Sequence, residues 1–286
     1  MENGWGAVAL ALCSGCFAIT NLDRFQTEVR GSENYNDLDF KVRAMTSHVA
    51  ERVEIRVIDA DNILQAKTVI EPLGAPQMTI TMRNAIPKAK PPYRLDFFAD
   101  HDKNGGYTPP TADANPDHAW RISPLRDYPK EESSTDGVYR VDFEHNTSFD
   151  NLNMWPDRAT NNPASELGAA AAFKLTNLPA EWQAKLLEIR VVDHSTGHTS
   201  GVYRISTVGQ TQYDLKLTGV IDTGVEYDVL VYVDLNANGT YDNPEQGGDL
   251  GWKILRPSDS TGLKLDFDAA TIGAGKVNVG SPWPPS

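Results

Sequence analysis

The sequence predicts an all-β protein built as two tandem β-sandwiches, and three observations carry that expectation. Short stretches alternate apolar and polar residues with a period of two, as strands with one covered face require. Gly, Pro, Asn and Asp separate those stretches at short intervals. The second half of the chain also repeats the first. "VEIRVID" (Val53 to Asp59) returns as "LEIRVVD" (Leu187 to Asp193), and "YRLDFFADHDKNGGY" (Tyr93 to Tyr107) as "YDVLVYVDLNANGTY" (Tyr227 to Tyr241), both at an offset of 134 residues. "DHAWRI" from Asp117 pairs with "DLGWKI" from Asp249 at 132, and "VDF" from Val141 with "LDF" from Leu265 at 124. A period this long means tandem domains, not a solenoid of short repeats.

Taken in order, the chain opens with "GWGAVALALCSGC", a short apolar run too brief to span a bilayer and suited to a signal-peptide core. Its end, Ser14-Gly15-Cys16, resembles the lipobox of bacterial lipoproteins. That resemblance implies cleavage after residue 15 and lipidation of Cys16. A plain secretory signal and a Cys13–Cys16 disulfide are the alternatives. No further Cys exists, so neither a disulfide framework nor a Cys-based zinc site is expected to hold the folded part together. Residues 17–37 are polar and aperiodic and read as a tether. The first sandwich is expected over 38–148, with strands near 38–45, 52–59, 66–71, 77–83, 92–100, 118–123 and 138–144. Val53, Ile55 and Val57 share one face there, and Glu54 and Arg56 the other. Residues 149–167, rich in Asn, Pro, Ser and Asp, read as an inter-domain linker. The second sandwich is expected over 168–286, with strands near 170–176, 186–193, 201–207, 213–219, 226–234, 251–256 and 263–268. "PAEWQAKLL" allows a helical turn after Pro179. Seven short strands per copy point to Greek-key sandwiches of the Ig-like or transthyretin-like kind.

Composition bounds the function. The chain has 286 residues, 40% of them apolar, enough for packed cores. A formal net charge of −13 argues against nucleic acid and suits carboxylates partly neutralised by cations.

One stretch carries chemistry. "DLNANGTYDNPE" places oxygen-bearing residues at alternate positions with a Gly at the sixth. Calcium takes six to eight hard oxygen ligands, and alternate side chains of a sharply turned twelve-residue loop can supply them. The expected ligands in the second loop, 234–249, are Asp234, Asn236, Asn238, the Thr240 carbonyl, Asp242, a bidentate Glu245, and Asp249. The first loop, 100–117, is two residues longer. It offers Asp100, Asp102, Asn104, the Gly106 carbonyl, Thr108, Asp113 and Asp117. So many carboxylates would repel one another without a cation. The plain alternative is a solvated Asn/Gly turn. The spacing resembles the EF-hand loop, also found in dockerins and bacterial β-sandwich surface proteins, without the flanking helices. "FFADHDKNGGYTPPTADANPDHAWRI" is similar to a pattern in secreted proteins and lipoproteins of bacteria. That resemblance implies export and the double domain, and brings no activity with it.

Other residues are weaker candidates. His194 and His198 stand four apart, but the β pattern around them favours a turn over a metal site. His101 and His118 flank the first loop and are expected to be solvated. Trp120 and Trp252 hold equivalent places and are expected to pack in the cores. No nucleophile elbow, P-loop or HExxH is present, and no enzyme is expected. The function expected is a secreted or cell-surface calcium-binding protein, one ion per domain, with a binding, adhesion or structural role. Its partner would be a surface ligand, a glycan or copies of itself. It would touch the membrane only through a lipid anchor. A carbohydrate-binding module is the alternative, and an exposed row of aromatics on one sheet would favour it.

Overall fold

The computed structural model describes residues 32–89, 92–110, 115–125, 137–153, 167–239 and 241–280. The fold is all-β. Seven strands lie in the first half: β1 (Tyr35–Arg43), β2 (Arg52–Ile58), β3 (Leu64–Ile70), β4 (Met78–Pro87), β5 (Arg94–Asp100), β6 (His118–Ile122) and β7 (Val138–Glu144). Seven more follow: β8 (Leu167–Thr176), β9 (Leu186–Asp193), β10 (Thr199–Ile205), β11 (Tyr213–Ile221), β12 (Glu226–Asp234), β13 (Leu250–Pro257) and β14 (Leu263–Asp268). Among the described residues the only helical pieces are 3-10 turns at Thr46–His48, Ala180–Trp182 and Pro244–Gln246.

The strands form three sheets, with orders β4-β1-β7, β13-β12-β9-β10-β3-β2-β5-β6 and β11-β8-β14. Both small sheets have a parallel pair, β1 with β7 and β8 with β14. Alternation decides which residues fill each core. Val53, Ile55 and Val57 of β2 pack with Leu38, Phe40 and Val42 of β1 and with Ile80, Val141 and Phe143. Leu187, Ile189 and Val191 of β9 pack with Phe173, Leu217, Leu265 and Phe267.

The eight-stranded sheet joins the halves. β3 and β10 pair in parallel, Gly201 opposite Lys67 through Arg204 opposite Ile70. β3 sends Ala66 and Ile70 into the first core and Val69 into the second. Successive strand residues point to opposite faces, so the two small sheets cover opposite faces of the large one. The Lys67 Nζ donates across the junction to Thr218 Oγ1 at 3.0 Å, and the Glu71 N–H donates to the Arg204 carbonyl at 2.9 Å. Strand pairing therefore ties the two halves together, in addition to the segment between them.

Three expected boundaries also shift. Tyr35–Asp37, assigned to the tether, begin β1, and Leu167, assigned to the linker, begins β8. Residues 149–153 dock on the first half: the Asp150 N–H donates to the Ala119 carbonyl at 2.8 Å, and Leu152 is buried. The signal peptide, Cys16, the tether up to residue 31 and residues 154–166 of the linker lie outside the described residues.

Candidate metal centre in the two acidic loops

The first loop connects β5 to β6 and the second connects β12 to β13. These strand pairs are the two ends of the eight-stranded sheet, so the loops stand far apart on one molecule. Both loops coil alike. Lys103 and Gly105 have φ of 62° and 82°, and Ala237 and Gly239, at the same places in the second loop, have 57° and 73°. Gly105 and Gly239 have open space where a Cβ would stand. The left-handed backbone, not crowding, is what asks for glycine there.

In the first loop one carboxylate oxygen from each of Asp100, Asp102 and Asp117 lies within 4.8 Å of the others. Asp100 and Asp117 are only 3% and 1% exposed. Burial raises the pKa of both carboxyls, and the neighbouring acids raise them further, against hydrogen bonds from Gly105 and Thr108 that act the other way. Asp102 is held low by the Thr108 hydroxyl, which donates to its Oδ2 at 2.7 Å. The Asn104 Nδ2 donates to the same oxygen at 2.7 Å. Asn104, Thr108 and these acids thus meet in one place. Gly106 is exposed, its N–H donating to Asn104 Oδ1 at 2.7 Å. Asp113 lies outside the described residues.

The second loop is arranged around Asp242. The Nδ2 groups of Asn236 and Asn238 donate to its Oδ2 at 2.5 and 2.8 Å. Asp234 is 3% exposed and receives the Gly239 N–H at 3.1 Å on Oδ2, while its buried Oδ1 has no hydrogen-bond partner. Burial and the nearby Asp249 raise the Asp234 pKa. Glu245 sits exposed on the 3-10 turn, its N–H capped by Asn243 Oδ1 at 2.9 Å. Thr240 lies outside the described residues. Among the described residues, three carboxylates converge within 4.8 Å in the first loop and not in the second.

Asp117 and Asp249 have a role that spacing alone does not reveal. Asp117 accepts the His101 and Thr108 N–H groups, each at 2.8 Å, and Asp249 accepts the equivalent Leu235 and Asp242 N–H groups at 3.0 and 2.9 Å. Each ties the start of its loop to the middle. Asp249 also takes the hydroxyl hydrogen of Tyr232, whose counterpart at the offset of 134 is Phe98, a residue with no hydroxyl to give.

Trp120 and Trp252 are both buried in cores, as expected. His198 stacks on Tyr35 at 4.7 Å between ring centres, and His194 Nδ1 lies 3.1 Å from Asp228, so these two serve different contacts. His101 and His118 depart from the expectation of solvated loop residues. Their rings stack at 4.7 Å, and both join a separate cluster with the buried His48.

Fold and loops define a class: an all-β protein of layered sheets with acidic turns at the two ends of its longest sheet. No protein-family model matches the sequence, and a comparison with curated proteins gives no match. Thirteen solved chains are similar in structure. One is the fimbrial anchor protein Mfa2 from Porphyromonas gingivalis, at 9% identity and a TM-score of 0.23, covering 76% of this chain and 82% of that one. Another is the tip fimbrial protein Mfa3 from the same organism, at 10% identity and a TM-score of 0.24, covering 77% and 81%. Likenesses of that size carry no argument about function, which rests on the residues themselves.

Proposed function

We propose that the protein is an exported bacterial cell-surface protein, lipid-anchored through Cys16, whose two sandwiches are copies of one domain and bind one calcium ion each. Its role is adhesive or structural. The observation that carries the calcium reading is the convergence of Asp100, Asp102 and Asp117, two of them buried, with Asn104 and Thr108 in calcium-loop spacing. A divalent cation relieves the cost of buried like charges. The unpartnered buried oxygen of Asp234 supports the same reading for the second loop. There the Asn236 and Asn238 amides would turn to offer Oδ1 to the ion, and Glu245 and the Thr240 carbonyl would complete the shell. Asp117 and Asp249, besides lying among the expected ligands, brace their loops through backbone N–H groups.

Adhesion or display is favoured over a sugar-binding module. Exposed large hydrophobics among the described residues are Val49, Phe149, Leu255 and Val277, which do not form a row of aromatics. A groove of about 610 Å³ holds Tyr203 and Tyr213, but the Tyr203 hydroxyl is bound to Glu71 and the Tyr213 hydroxyl accepts the Gly209 N–H.

Calorimetric titration of the full chain with calcium is expected to give two equivalents. Asp102→Asn and Asp242→Asn should each remove one, while Asp214→Asn, an exposed acid on β11, should remove none. Calcium at about a hundred times Kd should add roughly 2.7 kcal/mol of stability per site. No heat, or identical binding by the three variants, would reduce both loops to turns.

A further inference from the structure

Four of the six histidines in the chain stand together at one end of the first half. His48 ends the 3-10 turn after β1, His101 follows β5, His118 opens β6 and His145 follows β7. One ring nitrogen from each of His48, His101 and His118 lies within 4.8 Å of the others. His48 Nε2 is 3.1 Å from His145 Nε2 and 3.4 Å from His118 Nδ1. Two nitrogens bound at 2.0–2.1 Å to one tetrahedral ion are about 3.3 Å apart. We propose that these imidazoles form a binding site for a tetrahedral transition-metal ion of the zinc class, with His48, His101 and His118 as ligands and His145 in the fourth position.

Glu51 prepares the site. Its Oε2 lies 2.8 Å from His48 Nδ1 and its Oε1 2.9 Å from His101 Nδ1. An ionised carboxylate only accepts, so each Nδ1 donates to Glu51, and in the neutral ring the lone pair then sits on Nε2. For His48 that lone pair points at His145 and His118. A carboxylate behind a ligating imidazole is the usual second layer of a zinc site, fixing tautomer and ring direction. Trp120 closes one side, 5.6 Å from His48 and 5.5 Å from His145 between ring centres. Phe149 stacks on His118 at 4.1 Å.

The second half supplies the contrast. By the offsets of the repeat, the residues matching His48, His101, His118 and His145 are Trp182, Leu235, Leu250 and Ala269. All four belong to or pack against the second core. The same corner of the fold is thus filled by an apolar plug, so packing alone does not require imidazoles. Imidazoles gathered this closely gain by sharing an ion.

The test is titration of the full chain with cobalt(II), then zinc, with calcium saturating so that the acidic loops are occupied. One equivalent of cobalt should give the visible absorption of a tetrahedral nitrogen site, without the near-ultraviolet band of a thiolate, and zinc should displace it. Glu51→Gln should weaken binding about 10- to 100-fold by loosening two ligands. His145→Ala and His101→Ala, at partly exposed positions, should weaken it at least as much, and His194→Ala should not change it. Circular dichroism checks that each variant folds. A cobalt spectrum that is octahedral or absent in the native chain overturns the proposal. So does equal binding by the His145→Ala and His194→Ala variants, which would place the metal elsewhere, for example on Cys13 and Cys16.

Discussion

Glu54 shows how much a single charge decides here. It faces away from the first core on β2, yet it is only 4% exposed. The Arg52 Nη2 and Arg56 Nε each lie 2.7 Å from its carboxylate, and the Lys67 Nζ 3.4 Å. Burial by itself would raise its pKa, but the charges of Arg56, Lys67 and Arg52 prevail and bring it down to about 2. The folded value lies below the unfolded one, so the stabilisation is fully present above about pH 4.3 and is lost as pH falls toward 2. Glu54→Gln removes the carboxylate charge that Arg52, Arg56 and Lys67 share and should cost about 3–5 kcal/mol at neutral pH. Urea unfolding followed through the acid range checks this. The native chain should lose stability more steeply than the variant, and equal slopes would assign the acid sensitivity to other groups. The alternation of "VEIRVI" places Glu54 and Arg56 on the second face of the strand. It does not reveal that this face is also buried, because the groups that meet there come from other strands, Lys67 of β3 and Phe98 of β5.

At the scale of elements, short 3-10 turns plug the open ends of the cores. Trp182, on the Ala180–Trp182 turn, is 3% exposed and packs 5.4 Å from Trp252 and 6.4 Å from Phe267 between ring centres. Truncation to Ala opens a large cavity against two fixed strands, for a cost of about 3–5 kcal/mol. Thermal unfolding of Trp182→Ala should show that loss with strand content unchanged in the far ultraviolet. A shift no larger than that of a surface variant would mean the turn is not a plug. Pro179 and the aromatic in "PAEW" make this turn visible in the sequence. Its first-half counterpart, Thr46–His48, carries no such signal. His48 is a core position only because β6 and the segment after β7 fold over it.

At the scale of the molecule, one eight-stranded sheet runs through both halves, and the β3–β10 pair lies at its centre. Cutting there exposes two edges and the inner faces of Val69 and Tyr203. Unpaired edges of that kind recruit other chains. The full chain is therefore expected to unfold in a single calorimetric transition with calorimetric and van't Hoff enthalpies equal. Residues 167–280 made alone should associate or remain poorly folded, even with calcium. A monomeric, cooperatively folded second half would show that the shared sheet adds contact without coupling.

The sequence by itself determined the strand class, the position of nearly every strand and the two acidic loops, because period-two alternation and Asn/Gly turns are local physics. Repetition added the correspondence between the halves, and with it the equivalence of Asp117 with Asp249. Only the tertiary structure decided that the halves share a sheet, since nothing local in "LQAKTVI" or "TSGVYRI" names its neighbour across 134 residues. It alone turned Asp117 and Asp249 into loop braces, through hydrogen bonds to backbone seven or more residues away. It alone also gathered His48, His101, His118 and His145, which are spread over nearly a hundred residues and meet only where three strand ends converge. Spacing reports a site when its ligands lie on one turn. A site assembled from several strand ends leaves no period to read.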